Sequence, residues 1–168
     1  MTVVHLPAAS VQRDGQHDFD FLFGSWHGRH RRLKNPLTGS TEWYEFESDL
    51  TARPVLGGKA NFDEATLESP LGRIEGFTLR LYDPQTRLWS LYWGTMKNGL
   101  ALPPNVGAFN DDGVGEFFSE ELFAGKPIIS RYRWCDITAQ SCRWEQAFSI
   151  DRGATWEDNW TMDWVRTS

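Results

Sequence analysis

Asp18-Phe19-Asp20-Phe21-Leu22-Phe23-Gly24-Ser25-Trp26 is the stretch whose reading decides the fold. Phe19, Phe21, Leu22 and Phe23 make a short apolar turn, Gly24 breaks it, and Trp26 opens a strand. Glycine accepts a tight backbone at such a point without steric cost. Two readings fit the stretch alone. Trp26 is an ordinary core residue after a loop, or the turn is a lid and the indole the stopper of a small antiparallel barrel. The rest of the chain has to decide between them.

Downstream, short extended runs alternate with turn residues. Residues 26–33 are polar but extended, and end at Asn35-Pro36-Leu37-Thr38-Gly39. Residues 41–50 and 59–67 are joined by a kink from Pro54 to Gly58. Residues 73–82 and 86–96 flank the proline turn Asp83-Pro84-Gln85 and form the clearest hairpin. In its second arm Trp89, Leu91 and Trp93 share a face. Residues 97–106, with Asn98-Gly99 and Pro103-Pro104, read as a long loop at a barrel mouth. Runs at 107–110, 115–123, 127–137, 142–150 and 155–166 complete the series. No helical period persists over about ten residues. The pattern predicts an all-β chain: an antiparallel up-and-down barrel of about eight to ten strands with a short N-terminal helical turn. Residues 1–16 read as a flexible tail, and 17–168 as one barrel domain. A closed barrel has no free edges, and one of this size holds one small ligand.

Bulk properties narrow the partners. A net charge of −6 and a pI near 5.2 argue against nonspecific nucleic-acid binding, which needs a basic face. No run of ~20 apolar residues exists to span a membrane as a helix. The first 16 residues lack a basic start followed by an apolar run, so no secretory signal is expected and the cytoplasm is the expected location. Cys135 and Cys142 are then reduced thiols. Nine Trp, eleven Phe and four Tyr favour either an aromatic-rich β core or a pocket for a flat organic molecule. The composition leaves a homodimer open.

Strand parity locates the candidate site. If Trp26 points inward, so do Gly28, His30 and Arg32. Residues 127–137 and 142–150 form a hairpin in which Glu145 faces Arg131 or Arg133, depending on register. The other face of that hairpin carries Tyr132, Trp134, Trp144, Gln146 and Phe148. Simple alternation puts the aromatics in the core and the Arg–Glu pair outside, where it is worth ~0–1 kcal/mol. The functional alternative is a wet lumen holding Glu145, an Arg and His30, able to orient a polar ligand or move a proton. His27 and His30 point to opposite faces of a strand, so no metal site is expected, and no cofactor motif is present.

Gly24-x-Trp26 on the first strand and Arg166 on the last resemble the calycin superfamily of lipocalin-like and fatty-acid-binding-like barrels. That resemblance implies that Trp26 packs at the closed end against Arg166. Phe-Leu-Phe-Gly-Ser-Trp (21–26), His-Arg-Arg-Leu (30–33), Leu-Gly-Gly (56–58), Arg-Trp-Glu-Gln-Ala-Phe-Ser (143–149) and Asp151-x-Gly153-x-Thr155-Trp156-Glu157 look like the bacterial DUF1579-type lipocalin-like proteins. The haem-binding nitrobindin group is similar in outline but needs an axial His on a late strand. Here His5, His17, His27 and His30 all lie near the N-terminus, which disfavours haem.

Three functions follow as expectations. The first is binding of a small hydrophobic or aromatic molecule in the lumen, as an intracellular carrier. Its wall would include His30, Arg32, Trp93, Arg131, Arg133, Trp134, Trp144 and Glu145. The second is a cofactor-independent lyase, isomerase or cyclase with His30 and Glu145 as acid and base. The third is a solid barrel that pairs with a second subunit.

Overall fold

The computed structural model describes residues 13–168. A 3-10 turn at Asp20–Leu22 precedes the strands β1 (Gly24–Leu33), β2 (Trp43–Val55), β3 (Ala60–Ser69), β4 (Gly72–Asp83), β5 (Leu88–Thr95), β6 (Gly99–Leu100), β7 (Asn105–Phe109), β8 (Gly115–Phe123), β9 (Lys126–Cys135), β10 (Ser141–Ser149) and β11 (Glu157–Arg166). A second 3-10 turn, Leu56–Gly58, links β2 to β3. All pairings are antiparallel, in the order β4-β3-β2-β1-β11-β10-β9-β8-β7-β5. Pairing of β4 with β5 closes this into a ten-strand barrel, and the two residues of β6 hang on β5. Most strands pair with their sequence neighbours across short turns, and the connection from β5 to β7 is where the expected mouth loop lies.

β1 shows why a polar strand sits in a closed wall. Its inward residues are Trp26, Gly28 and His30, all buried, and the half-buried Arg32. Its outward residues are matched by acids on β2: Arg31 opposes Glu45, Arg29 opposes Glu47 and His27 opposes Asp49. Those pairs are exposed, at 3.4 Å, 3.9 Å and 2.9 Å. They set cross-strand register more than stability.

The closed end is built from the stretch that opens the barrel. Phe19 and Leu22 are fully buried. Phe19 meets Phe109, Trp89 and Phe117 at ring separations of 5.0, 5.1 and 5.5 Å, which makes this half of the barrel solid. Trp26 pairs directly with Arg166 across β1 and β11, and the guanidinium lies 4.2 Å from the indole centroid. Arg166 also donates to the carbonyls of Phe21 and Phe23, each at 2.6 Å, and to that of Ala139 at 2.9 Å. The Trp26 Nε1–H donates to the Leu22 carbonyl at 2.8 Å. Gly24 sits at φ +113°, and a Cβ there would stand 2.8 Å from the Arg166 guanidinium. Trp26 thus packs against Arg166 at this end, and the lid backbone accepts most of the guanidinium's hydrogen bonds.

The expected tail, residues 1–16, lies outside the described residues as far as residue 12. Arg13 and Gly15 are tied in: Arg13 pairs with Asp18 at 2.7 Å, and the Gly15 carbonyl accepts from Trp89 Nε1 at 3.0 Å. Asp151-Arg152-Gly153 lies in the turn between β10 and β11, with the Asp151 carboxylate accepting from Thr155 and Ser149. Trp160 and Trp164 share the inward face of β11, but Trp156 does not join them. It lies before the strand begins and takes Arg131 at 4.5 Å on the outer surface.

Arg166→Met removes three hydrogen bonds from a charged donor and leaves lid carbonyls unmatched. Urea denaturation of this variant is expected to show a loss of about 2–3 kcal/mol, and amide exchange at residues 21–26 should accelerate. A loss under about 0.5 kcal/mol would show that the lid is held by burial alone.

Candidate functional site

The open half of the barrel encloses a cavity of about 270 Å³. Its wall is mostly apolar and aromatic, with Leu50, Leu67, Leu91, Trp93, Trp144 and Trp160 among the lining residues. Two indoles reach their positions because a glycine on the neighbouring strand lies under the ring, directly opposite for Trp164 and diagonal for Trp93. A Cβ on Gly28 would stand 2.6 Å from the Trp164 ring, and one on Gly76 would be closer still to Trp93. The cavity thus survives because its largest side chains lie against glycines on the wall rather than across the lumen.

His30 is the polar centre of the upper wall. It is buried, stacks on Phe46 at 4.5 Å, and has both ring nitrogens engaged. Trp160 Nε1–H donates to His30 Nδ1 at 3.0 Å, which fixes Nδ1 as an acceptor. His30 Nε2 then carries the proton and donates to Ser48 Oγ at 2.6 Å. Burial, with smaller effects of Arg32 and His27, pulls the imidazole pKa down to about 4. His30 is therefore neutral near pH 7, with one tautomer locked.

Arg32 lies one inward step toward the mouth, its guanidinium 4.2 Å from the Trp160 ring. Burial lowers its pKa and Tyr132 opposes this, but a guanidinium remains charged. The Tyr132 hydroxyl is pushed well above its ordinary value by burial first and Glu121 second, so it stays a protonated donor. Deeper in the lumen, Arg80 donates to Asn61 Oδ1 at 3.0 Å and to Asp63 Oδ2, while Asp63 Oδ1 accepts from the Thr78 N–H at 3.1 Å. Arg80 Nε and Trp164 Nε1 are buried donors without a partner among the described residues.

Of the residues expected to line the lumen, His30, Arg32, Trp93, Trp134 and Trp144 reach the cavity wall. Arg131, Arg133 and Glu145 do not. The β9–β10 register sets Glu145 against Arg133 and Trp144 against Trp134, and alternation sends the charged face outward. Glu145 accepts from Arg133 at 3.1 Å and Arg143 at 2.8 Å, and Arg143 continues to Asp163 at 2.7 Å. Burial raises the Glu145 pKa, but the hydrogen bonds from Arg143 and Arg133 outweigh it and hold the carboxyl below its ordinary value. Glu145 is thus a committed outer-face carboxylate, separated from His30 by the wall. The aromatic-in, charged-out alternative is the one realised.

Asn61, Asp63, Arg80, Ser48, Tyr132 and Trp160 carry the polar features of the lumen and were not singled out from the sequence. One signal was available. Arg80 shares the face of Ile74 and Tyr82, and Asp63 shares that of Ala65 and Leu67, so each is a charge on an apolar face. Only the β3–β4 register, Asn61 to Arg80 and Asp63 to Thr78, joins them. Cys135 and Cys142 are free and buried, with thiols pushed up to about 11 and about 12 chiefly by burial.

No protein-family model and no curated protein matches the chain. Among solved structures, the S-type phycobiliprotein lyase CPES from Guillardia theta is similar over 94% of this chain and 94% of its own, with a TM-score of 0.65 and 13% identity. EF1p2_mFAP2b bound to DFHBI is similar over 91% of this chain and 99% of its own, with a TM-score of 0.49 and 9% identity. At 13% identity the likeness to the lyase is one of fold, and that fold is a lipocalin-like antiparallel barrel.

The neutral His30 makes an acid-stability prediction. Unfolded, the imidazole protonates near pH 6.5; folded, it resists until about 4. The unfolded state binds the extra proton in that window, so His30 removes stability as pH falls through it, approaching about 3 kcal/mol at the acid end. In urea melts from about pH 7 to 4, His30→Gln should flatten this part of the profile. A stability difference from wild type that stays constant with pH would contradict a buried neutral His30.

Proposed function

We propose that the chain binds a small, mostly apolar or aromatic molecule in the open half of its barrel, as a carrier or sequestering protein. The binding unit is taken as residues 17–168 and the location as the cytoplasm. The observation that carries the reading is the cavity of about 270 Å³ with a tryptophan-rich wall and a few fixed polar groups. Small-molecule sites of ~300–1,000 Å³ have this composition, and this one falls just below that range, which suits a compact ligand. The fold shared with a phycobiliprotein lyase is consistent with small-molecule work inside such a barrel. The DUF1579-type assignment belongs to the same proposal and rests on the sequence resemblance.

Carriage is favoured over catalysis by how the polar groups are spent. A proton-transfer site needs a base and an acid within reach of substrate. Both His30 nitrogens are hydrogen-bonded inside the wall, the Asp63 carboxylate is held by Arg80 and the Thr78 N–H, and Glu145 is outside. Orientation and burial of a ligand are what this wall supports.

Native mass spectrometry of protein purified from its own host should reveal a retained small molecule, and Trp-fluorescence titration with a metabolite panel should find micromolar binders. Ala65, on the cavity wall, provides the control. Ala65→Phe should fill the lumen, leave thermal stability within a few degrees, and weaken binding by tenfold or more, roughly 1.4 kcal/mol. Unchanged binding by a folded Ala65→Phe variant would move the ligand out of the lumen.

A further inference from the structure

Building on the lumen-binding reading, we infer that the ligand is an organic anion: a compact aromatic body carrying a carboxylate that Arg32 receives. The inference comes from sorting the groups that face the cavity into donors and acceptors. Arg32 is a half-buried cation whose side chain rests on Trp160 and has no carboxylate partner among the described residues. The other lumen cation, Arg80, is already neutralised by Asp63. The lumen wall therefore carries one uncompensated positive charge.

The remaining unspent groups on the wall point the same way. Trp164 and Arg80 are each 3% exposed, and Trp164 Nε1 and Arg80 Nε are both donors without a partner. The protonated Tyr132 hydroxyl adds a third donor near Arg32. The charged and ring acceptors are used, Asp63 by Arg80 and the Thr78 N–H and His30 Nδ1 by Trp160, which leaves the neutral oxygens of Gln146 and Thr78 as the acceptors on the wall. A further inward carboxyl, Glu121 of β8, acts electrostatically on Tyr132, has its pKa pushed up by burial, and is not part of the cavity wall. A ligand that brings only donors would leave this set unmatched, whereas one that brings a carboxylate meets a guanidinium in a partly desolvated site. A hydrogen bond to a charged group is worth more there than in water. The indole of Trp160 under Arg32 holds the guanidinium in place, as stacked arginines are held.

The test pairs two probes of one shape. Naphthoate and its neutral amide, naphthamide, are titrated calorimetrically against the full chain, Arg32→Gln and Arg32→Lys, with thermal melts to verify folding. The expected result is naphthoate binding wild type about tenfold or more tighter than naphthamide. Arg32→Gln should abolish that preference while leaving naphthamide affinity within about twofold, and Arg32→Lys should retain part of it. Equal binding of the two probes by wild type, or a preference that survives Arg32→Gln, overturns the anion inference and leaves lumen binding standing. Binding of neither probe, together with an unoccupied protein in native mass spectrometry, overturns the lumen reading and this inference with it.

Discussion

The Arg166 guanidinium is the point on which the closed end of this barrel depends. It touches three things at once: the indole of Trp26, the carbonyls of the lid, and the Ala139 carbonyl in the turn before β10. The indole contact alone is worth roughly 0.5–2 kcal/mol. Three charge-assisted hydrogen bonds, two to part-buried lid carbonyls and one exposed, together contribute about 2–3 kcal/mol and are the larger part of the anchor. The guanidinium suits this task because its planar fork points donors in several directions from one fixed plane. By pinning residues 21–23, it commits Phe19 and Leu22 to the barrel axis. That fills one half of the lumen with aromatic rings and leaves the vacancy at the other half.

The open half stays hollow for a matching reason. Tryptophan is large, and three or four indoles meeting across a narrow barrel would fill it. Instead Trp164 lies against Gly28 and Trp93 against Gly76, each indole flattened onto a wall position with no side chain of its own. Polar groups buried in that wall must be satisfied locally. The Trp160–His30–Ser48 chain does so for three residues from three strands. Burial lowers the imidazole's basicity, and protonation of Nδ1 would in addition break its hydrogen bond from Trp160.

Much of this was legible from a few residues. Gly24-x-Trp26 and Arg166 located both ends of the first-to-last strand seam, and parity from Trp26 carried Gly28, His30 and Arg32 inward. Alternation works here because a strand in a closed wall has only two faces and β1 contains no bulge. The β9–β10 hairpin was harder. Its two faces, one aromatic and one charged, fit either a dry core or a wet lumen, and the sequence contains no term that chooses. The closed end decides, since Trp134 packs on the rings of Phe19 and Phe21 and drags its whole face inward. Asp63 and Arg80 were harder still. They lie 17 residues apart on different strands, and a β-ladder contact of that kind has no local motif. The last run, expected over 155–166, begins only at Glu157, which leaves Trp156 off the strand.

The chemical character of the lumen follows from which groups remain free rather than from which are present. A histidine, a carboxylate and two arginines on one cavity wall would ordinarily suggest acid–base chemistry. Here the histidine is locked neutral, and the carboxylate is bonded to an arginine and a backbone N–H. The group left unspent is Arg32, and a guanidinium does not give up its proton near neutral pH. It can offer charge and direction but not proton transfer. On the proposed reading, a fixed cation set among orphaned donors and aromatic faces would discriminate among ligands by the acceptors they carry, which fits the proposed carriage of a ligand.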